Sequence, residues 1–218
     1  MNAALLLDSL PAVAAGFGVT MLMWLPGLAL AALLGLALAL GRQYGGRAVD
    51  AALGVLLGAV RGTPFLVQLF LLYYGGPFIG LTLEPAEAGL LGLAIYGGAY
   101  FAEIMRGGFL AVPRGHVEAA VMAGLTPAQT LRRILLPEMA LLILPAGVNM
   151  AVVLMKETAV LSIITVPELT MVITGIGSST FAFTEAAFLL AVTYWALTEA
   201  TGAAGRALER RMAGVRLA

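Results

Sequence analysis

The sequence predicts an all-α integral membrane protein with five transmembrane helices. Charged residues make up 11% of its 218 residues and hydrophobic residues 61%, whereas a typical soluble domain carries roughly 25% charged residues. So few charges cannot cover the apolar surface of a water-soluble fold of this size. The apolar residues also form continuous runs, long enough to cross a bilayer as helices of about 20 residues.

Five such runs occur along the chain. The predicted spans cover about 14–41, 51–75, 88–110, 139–165 and 185–206. No soluble domain fits between them, so we expect a single transmembrane domain over residues 1–218. The only early charge is Asp8. Because the N-terminal segment therefore lacks the positive region of a signal peptide, we expect the first span to be retained.

Basic residues alternate between the two sides of the predicted helices. Ten of the 12 lie in the loops after the first and third spans and in the C-terminal tail. The positive-inside rule then places the N-terminus outside and the C-terminus in the cytoplasm. A missed helix would scramble this alternation, so it supports five spans. These ten residues are Arg42, Arg47, Arg106, Arg114, Arg132, Arg133, Arg206, Arg210, Arg211 and Arg216.

The composition also excludes several functions. A net charge of zero argues against a basic nucleic-acid binder. With no cysteine and one histidine, the chain has no thiol nucleophile and too few ligands for a zinc cluster. We therefore predict no catalytic site, no metal site and no cofactor bound by this chain.

The second predicted span contains small residues at regular spacing. Gly54, Gly58 and Gly62 recur every four residues and therefore share one helix face, where another helix can approach closely. Pro26 and Pro64 lie inside spans, and each is expected to kink or break its helix.

The longest loop, about 107–138, follows the third span. Its centre, 117–124, is rich in helix formers, so we predict a short cytoplasmic helix there. A second helix follows, with Thr126 as N-cap and Pro127 at the first position. The first helix carries an apolar stripe at i, i+3, i+4 and i+8: Val117, Ala120, Val121 and Leu125. This stripe lies either on the membrane surface or in a groove of a partner protein.

The same loop resembles the EAA loop of ABC importer permeases. The family pattern is EAA, x3, G, x9, I-x-L-P, and every signature position matches in Glu118-Ala119-Ala120, Gly124 and Ile134-Leu135-Leu136-Pro137. Three further stretches resemble polar amino acid permeases, and the resemblance covers nearly the whole chain. They are 61–68 (RGTP-x-x-x-Q), 99–108 (AY-x-x-E-x-x-R-G-G) and 156–162, which is similar to K-D-T-S-L-x-S.

This resemblance implies a type I ABC importer permease core that imports polar amino acids through the bacterial plasma (inner) membrane and has no catalytic site of its own. It implies a second permease subunit, in a homodimer or heterodimer, and an extracytoplasmic substrate-binding protein. It also implies two ABC ATPase subunits that bind ATP and Mg²⁺. The chain contains no G-x-x-x-x-G-K-[ST] sequence, so the ATPase must be a separate chain. The residues implied to couple to it are Glu118, Ala119, Ala120, Gly124, Leu125, Leu136 and Pro137.

Three positions depart from the family pattern. His116 stands where the family often has Gln, Glu157 where it usually has Asp, and Ala159 where it usually has Ser. Coupling should survive all three changes, whereas the effect on substrate contacts stays open. The sequence shows no partner set for His116, so we expect a solvated loop histidine.

Ionisable residues within the spans are candidates for the translocation path, because each costs roughly 2.5–3.5 kcal/mol near the bilayer centre. Lys156 and Glu157 are adjacent and point about 100° apart, so we expect no pairing between them. Either they line the path or the dimer interface, or they lie near the outer surface and their side chains snorkel. The full set of path candidates is Arg61, Thr63, Gln68, Lys156, Glu157 and Thr158.

Arg61 also has two interpretations. It lies about 15 Å deep if the second span begins at residue 51, where it could bind a carboxylate. If 48–60 is partly interfacial and 62–79 spans alone, Arg61 anchors the cytoplasmic surface. Glu103 and Arg106 are three residues apart, which predicts a local ion pair, with gating as the alternative.

Other functions stay open at this stage. The substrate could be another small zwitterion, such as an opine or a compatible solute. An intramembrane enzyme would need clustered catalytic residues at membrane depth, and a secondary transporter would normally need more helices with internal repeats.

Overall fold

A computed structural model describes residues 3–213, with side chains from residue 8 to residue 212. Arg216, predicted to lie in the cytoplasmic tail, is outside these residues. Every regular element in the described range is helical. The α-helices are α1 (Ala3–Tyr44), α2 (Gly46–Arg61), α3 (Phe65–Tyr73), α4 (Pro85–Ala111), α5 (Arg114–Met122), α6 (Pro127–Thr130), α7 (Leu136–Glu157), α8 (Leu169–Thr180) and α9 (Phe183–Ala213). Three short segments join them: 3₁₀ turns at Gly76–Ile79 and Thr158–Ile164, and a π turn at Leu131–Leu135.

Three helical stretches are long and apolar enough to cross a membrane: Asp8–Tyr44, Pro85–Ala111 and Pro127–Ile164. They correspond to the first, third and fourth predicted spans. The last of them runs without interruption from α6 through the π turn, α7 and the following 3₁₀ turn. Within the described residues, the helices therefore provide three candidate spans, or four if a bent pair counts as one.

The bent pair is the second predicted span, 51–75. It divides into α2 and α3, which meet at an angle of 100°. Pro64 stands at the break, as predicted, because its ring and missing N–H end a helix. With nine residues, α3 covers roughly 14 Å at 1.5 Å per residue, so it cannot span a bilayer by itself. The alternative in which residues 62–79 cross the membrane alone is therefore wrong for these helices.

The fifth predicted span, 185–206, lies within α9. This helix has 31 residues and is long enough to cross a bilayer, but it is not among the stretches that are apolar enough by composition. Before it comes α8, a 12-residue apolar helix that was not predicted, because it is shorter than a span. The count of five spans thus depends on the bent pair and on α9.

The core forms where α1, α4 and α7 pack together. Ala31 and Leu154 are almost fully buried there. A Cβ atom at Gly97 would lie 2.7 Å from the Cβ of Ala31 and 2.8 Å from Leu154 Cδ1. Only glycine at this position allows the three helices to approach so closely.

The predicted small-residue face of α2 has no such role within the described chain. Nothing lies within 4 Å of a Cβ placed on Gly58, and a Cβ on Gly54 would meet only the guanidinium of Arg42, at 3.5 Å. Gly62 contacts backbone oxygens of α2 itself. Apart from the Arg42 side chain of α1, no other described helix contacts this face at these glycines.

Candidate functional site

The loop after α4 folds into two short helices, as predicted. The first is α5, which ends at a tight turn where Gly124 adopts a φ of +75°. The Gly124 N–H donates to Val121 O at 2.9 Å, and the Leu125 N–H donates to Ala120 O at 3.0 Å. Residues with a Cβ rarely adopt this left-handed conformation. Glycine is therefore the residue best suited to the turn that orients α5 relative to α6.

The second helix begins at the predicted cap. The Gln129 N–H donates to Thr126 Oγ1 at 3.3 Å, and the Thr126 N–H donates to Gln129 Oε1 at 2.8 Å. This reciprocal pair is a capping box, and Pro127 occupies the first helical turn. The chain then continues through the π turn into α7, so α5 is connected to a long apolar helix by one short turn.

The residues that match the EAA pattern differ in exposure. Glu118, Ala119 and Gly124 are exposed, Leu125 and Leu136 are half-buried, and Pro137 is exposed. Ala120 is only 5% exposed and faces the interior of its own chain.

The apolar stripe is divided in the same way. Val117 and Leu125 are half-buried, whereas Val121 is 63% exposed and its neighbour Met122 is 88% exposed. Exposed apolar side chains at this position fit both alternatives, the membrane surface and a groove of a partner protein. We call Glu118, Ala119, Val121 and Met122 the exposed α5 face.

His116 is exposed, as expected, but it has a partner that the sequence did not reveal. Its Nδ1 lies 2.9 Å from Glu138 Oε1 and 2.7 Å from Glu138 Oε2. The two residues are 22 positions apart, one in the first turn of α5 and the other in the first turn of α7. The pair therefore joins these two helices.

A cluster of charges surrounds Glu103 of α4, beside the C-terminal end of α1. Its Oε2 accepts from Arg106 Nε at 3.0 Å and Nη2 at 2.9 Å, which confirms the predicted local ion pair. Its Oε1 accepts from Arg42 and lies 3.7 Å from Arg61 Nη2. Arg42 Nε also donates to Asp50 Oδ1 at 2.7 Å. One carboxylate thus holds three arginines from α1, α2 and α4.

Arg61 is held in this cluster by contacts of both its side chain and its backbone. Its side chain is 36% exposed, and its carbonyl accepts from the Tyr100 hydroxyl at 3.4 Å. These contacts hold the end of α2 against α4, so part of the Arg61 charge is already paired with a carboxylate of its own chain.

The polar residues after Arg61 are occupied by the helix break. Gln68 Nε2 donates to Val60 O at 2.6 Å and to Thr63 O at 2.9 Å, and Thr63 Oγ1 donates to Ala59 O at 2.8 Å. The break needs these bonds, because the last carbonyls of α2 have no partner in the helix. A cavity of about 420 Å³ lies beside Thr63 and Gln68 and is otherwise lined by apolar side chains of α2, α3 and α4.

The other path candidates lie at the opposite end of α7 from Glu138. Lys156 is exposed and Glu157 is half-buried, while Thr158 is fully buried and donates to Met155 O at 2.6 Å. Among the described residues, neither Lys156 nor Glu157 forms an ion pair within 4 Å, and they do not pair with each other, as expected. The structure therefore separates the candidates into two groups, one at the α2–α3 break and one at the end of α7.

Sequence reasoning missed Glu168, which is fully buried. Its carboxylate caps α8 by accepting from the Thr170 and Met171 N–H groups, each at 2.9 Å, and it accepts from the Tyr194 hydroxyl of α9, also at 2.9 Å. Burial raises the pKa of this carboxyl above its ordinary value, although these hydrogen bonds act in the opposite direction.

A signal for this cap is present in the sequence. An acidic residue stands directly before the apolar run 169–177, which is a typical helix N-terminus. Sequence spacing could not reveal the second partner of the carboxylate, since Tyr194 is 26 positions away.

Comparison with known sequences gives consistent relatives. A family profile described as a binding-protein-dependent transport system inner membrane component matches residues 27–214. The probable amino-acid ABC transporter permease YckA of Bacillus subtilis is 33% identical, over 97% of this chain and 94% of the relative. The glutamine transport system permease GlnP of Escherichia coli is 33% identical over 89% and 91%. HisQ of E. coli, a histidine/lysine/arginine/ornithine transport system permease, is 34% identical over 70% and 72%.

Solved structures agree with these sequence relatives. The crystal structure of an amino acid ABC transporter with histidines superposes with a TM-score of 0.88 at 31% identity, covering 97% of this chain and 99% of that chain. An inward-facing structure of the MetNI methionine ABC transporter gives a TM-score of 0.72 at 19% identity, covering 97% and 99%. The second likeness concerns the fold alone.

Proposed function

Because the chain belongs to the family of binding-protein-dependent transport system inner membrane components, we propose that α5 couples it to a separate ATPase. The chain is a permease subunit of an ABC importer for amino acids. The members of its family are non-catalytic subunits of transport complexes and are integral to the bacterial inner membrane. They work with an ABC ATPase and a substrate-binding protein.

The exposed α5 face supports this coupling role. Glu118 and Ala119 of the EAA pattern are exposed beside Val121 and Met122. A small residue allows close backbone approach, and one carboxylate offers a site for an arginine or a backbone N–H of the partner. Ala120 packs inward and so holds α5 on its own chain, while Gly124 sets the angle of the helix.

For the assembly, we propose two permease subunits, identical or not, with two ATPase subunits that bind ATP and Mg²⁺. The five spans would be α1, the bent pair α2–α3, α4, the run from α6 through α7, and α9. The N-terminus is then outside and the C-terminus cytoplasmic, since the basic loops after α1 and α4 mark the inner side. The exposed α5 face, which follows α4, is consequently cytoplasmic.

For the substrate, we propose polar amino acids. The relatives named above include permeases for glutamine and for histidine, lysine, arginine and ornithine. Lys156 and Glu157 support a path at the end of α7, because two charged groups without ion-pair partners in the described chain can face a polar ligand or water. An opine or a compatible solute is the alternative substrate.

The coupling role is tested by Glu118→Lys. We expect this charge reversal to remove co-purification of the ATPase and ATP-dependent uptake, while the protein still inserts in the membrane. Glu209→Lys is the matched control, because Glu209 lies on α9 beyond the predicted span 185–206 and forms no ion pair among the described residues. Uptake that continues without the ATPase, or an unchanged yield of ATPase with Glu118→Lys, would overturn the proposal.

A further inference from the structure

Helices α7 and α9 lie side by side and run in opposite directions. A Cβ atom on Gly205 would overlap the side chain of Val148, so the two helices are in close contact at these positions. Further along the pair, the Tyr194 side chain interacts with the hydroxyl of Thr158 at the end of α7. From the first contact to the second, residue numbers rise on α7 and fall on α9. A residue six positions before Gly205 is consequently level with the residue six positions after Val148.

This register places Glu199 of α9 level with Leu154 of α7. Leu154 in turn packs against α4, since its Cδ1 would lie 2.8 Å from a Cβ on Gly97. On α4, Gly97 is six residues from Glu103 in the charge cluster and ten from Glu87 in the first turn, or about 9 Å and 15 Å at 1.5 Å per residue. Glu199 therefore lies between two layers of charge, well inside a hydrocarbon core of about 30 Å.

Four polar side chains of α7 and α9 point to the same side of this pair. Each residue of an α-helix is rotated by about 100° from the one before it. Measured from Val148 on α7 and from Gly205 on α9, which face each other, the four side chains lie at rotations of about 80–120° in the same sense. Because the helices are antiparallel, equal rotations point to one side, which we call the polar side of the α7–α9 pair. Its residues are Asn149, Lys156, Glu199 and Arg206, and all four are exposed.

Lipid is a poor environment for the polar side of the α7–α9 pair. Charged side chains within the hydrocarbon core are costly, and they face a bundle interior or a water-filled cavity. Arg206 Nη2 lies 3.8 Å from Glu199 Oε2, which is longer than a hydrogen bond, and both side chains are 59% exposed. This contact therefore leaves the Glu199 carboxylate open to a further partner.

We propose that Glu199 lines the translocation path and binds the ammonium group of the substrate, while Lys156 binds its carboxylate. This inference rests on the proposed function, in which the substrate is an amino acid and Lys156 lies on the path. Lys156 is two positions beyond the level of Glu199, or about 3 Å along the pair. In the described chain the two side chains form no ion pair with each other. A zwitterion carries both charges, so each end of it meets the opposite charge across the groove between α7 and α9.

A cysteine reporter can test this side of the pair, because the chain has no cysteine of its own. Asn149→Cys places a thiol on the polar side without changing either charge. Ala200→Cys is the matched control, since Ala200 is exposed next to Glu199 but points about 100° further round α9, away from α7. In the permease–ATPase complex in nanodiscs, we expect a water-soluble methanethiosulfonate reagent to modify Asn149→Cys about tenfold faster or more. Equal rates at the two positions would overturn the proposal.

Substrate protection of the Asn149→Cys thiol then tests the role of Glu199. The probe is whichever of L-glutamine, L-histidine and L-arginine the wild-type complex, supplied with its binding protein, takes up fastest with ATP. We expect this amino acid to slow the modification. Adding Glu199→Gln should raise the concentration that gives half-protection by about tenfold or more, as is typical for loss of a hydrogen bond to a charged group.

Two further substitutions separate substrate binding from the contact with Arg206. Arg206→Gln removes the 3.8 Å contact but retains the carboxylate, so half-protection should change by less than about twofold, as for a surface ion pair. Glu209→Gln, the same substitution nearer the end of α9, should have no effect. Equal losses in Arg206→Gln and Glu199→Gln would show that Glu199 serves only the ion pair, and would overturn the proposal.

The remaining outcomes distinguish this inference from the proposed function. Absence of protection, or unchanged protection in Glu199→Gln, would overturn the role of Glu199 while amino-acid uptake by the wild-type complex stood. If the wild-type complex took up none of the three amino acids, the proposed substrate class would fail, and with it the binding of an ammonium group by Glu199. Fast modification of Asn149→Cys would still support a water-filled path on this side of the pair.

Discussion

The buried carboxylate of Glu168 shows how one residue can link two helices and set a dependence on pH. It caps α8 and accepts from Tyr194 of α9. Its raised pKa means that the folded chain binds this proton more tightly than the unfolded chain does. Stability is therefore present at low pH and falls as the pH rises from the ordinary range of a glutamate carboxyl to the raised value.

We expect the free energy of unfolding to fall over that pH interval by at most about 1.4 kcal/mol per pH unit. The midpoint temperature of thermal unfolding, measured in nanodiscs, should fall with it. Glu168→Gln should remove this dependence, since an amide does not titrate. Tyr194→Phe should make the total fall larger, because it removes a hydrogen bond that stabilises the charged form. A wild-type midpoint that is flat with pH would contradict the assignment.

Substitution of Lys156 or Glu157 tests whether these single residues line the translocation path. Lys156→Ala and Glu157→Ala should each lower the initial rate of uptake by about tenfold or more, the loss typical of a hydrogen bond to a charged group. The amount of assembled complex should not change. Unchanged uptake kinetics in both variants would remove these residues from the path.

At the scale of an element, the turn after α5 depends on the left-handed conformation of Gly124. A Cβ at this φ costs roughly 1–2 kcal/mol, and a β-branched residue costs more. We expect Gly124→Val to lose ATPase co-purification and Gly124→Asn to retain most of it, because Asn tolerates this conformation. A Cβ here would meet no atom within 4 Å in the described chain, so equal losses in both variants would indicate direct contact with the partner instead.

The elements also show what the sequence could predict. Long apolar runs predicted α1, α4 and α7, and Pro64 predicted the break between α2 and α3, since both effects depend on a few adjacent residues. The local signals of Thr126 and Gly124 likewise placed the two short helices. The 12-residue α8 was missed because it is too short to be recognised as a span.

Contacts between distant residues could not be predicted. His116 meets Glu138 across 22 positions, and Arg42 meets Glu103 across 61. These pairs form because α7 returns beside α5 and α4 beside α1, which is a property of tertiary packing. Sequence spacing revealed only the Glu103–Arg106 pair, because its members are on one helix turn.

At the scale of the whole molecule, the orientation proposed from the basic loops can be checked with two single-cysteine variants. Phe78→Cys is at a position that is 92% exposed, and Met122→Cys at one that is 88% exposed. In the proposed topology these positions lie on opposite sides of the membrane. A membrane-impermeant maleimide added to intact spheroplasts should label the Phe78→Cys variant, whereas the Met122→Cys variant should be labelled only after permeabilisation.

The parent chain, without cysteine, is the control for this labelling. Labelling of both variants in intact spheroplasts, or the reverse pattern, would contradict the proposed orientation. The result would also locate the exposed α5 face independently of any ATPase.

The cluster around Glu103 has a consequence for how the sequence can change over time. Arg42, Arg61 and Arg106 share one counter-ion on α4, and Arg42 has a second one in Asp50. Loss of the Glu103 carboxylate would therefore leave Arg61 and Arg106 without an acidic partner among the described residues. Loss of one arginine would leave the other two still satisfied. The four positions should therefore differ in how readily they are substituted during evolution. Each arginine can be replaced singly, whereas Glu103 can be replaced only after one or more of the arginines have been lost.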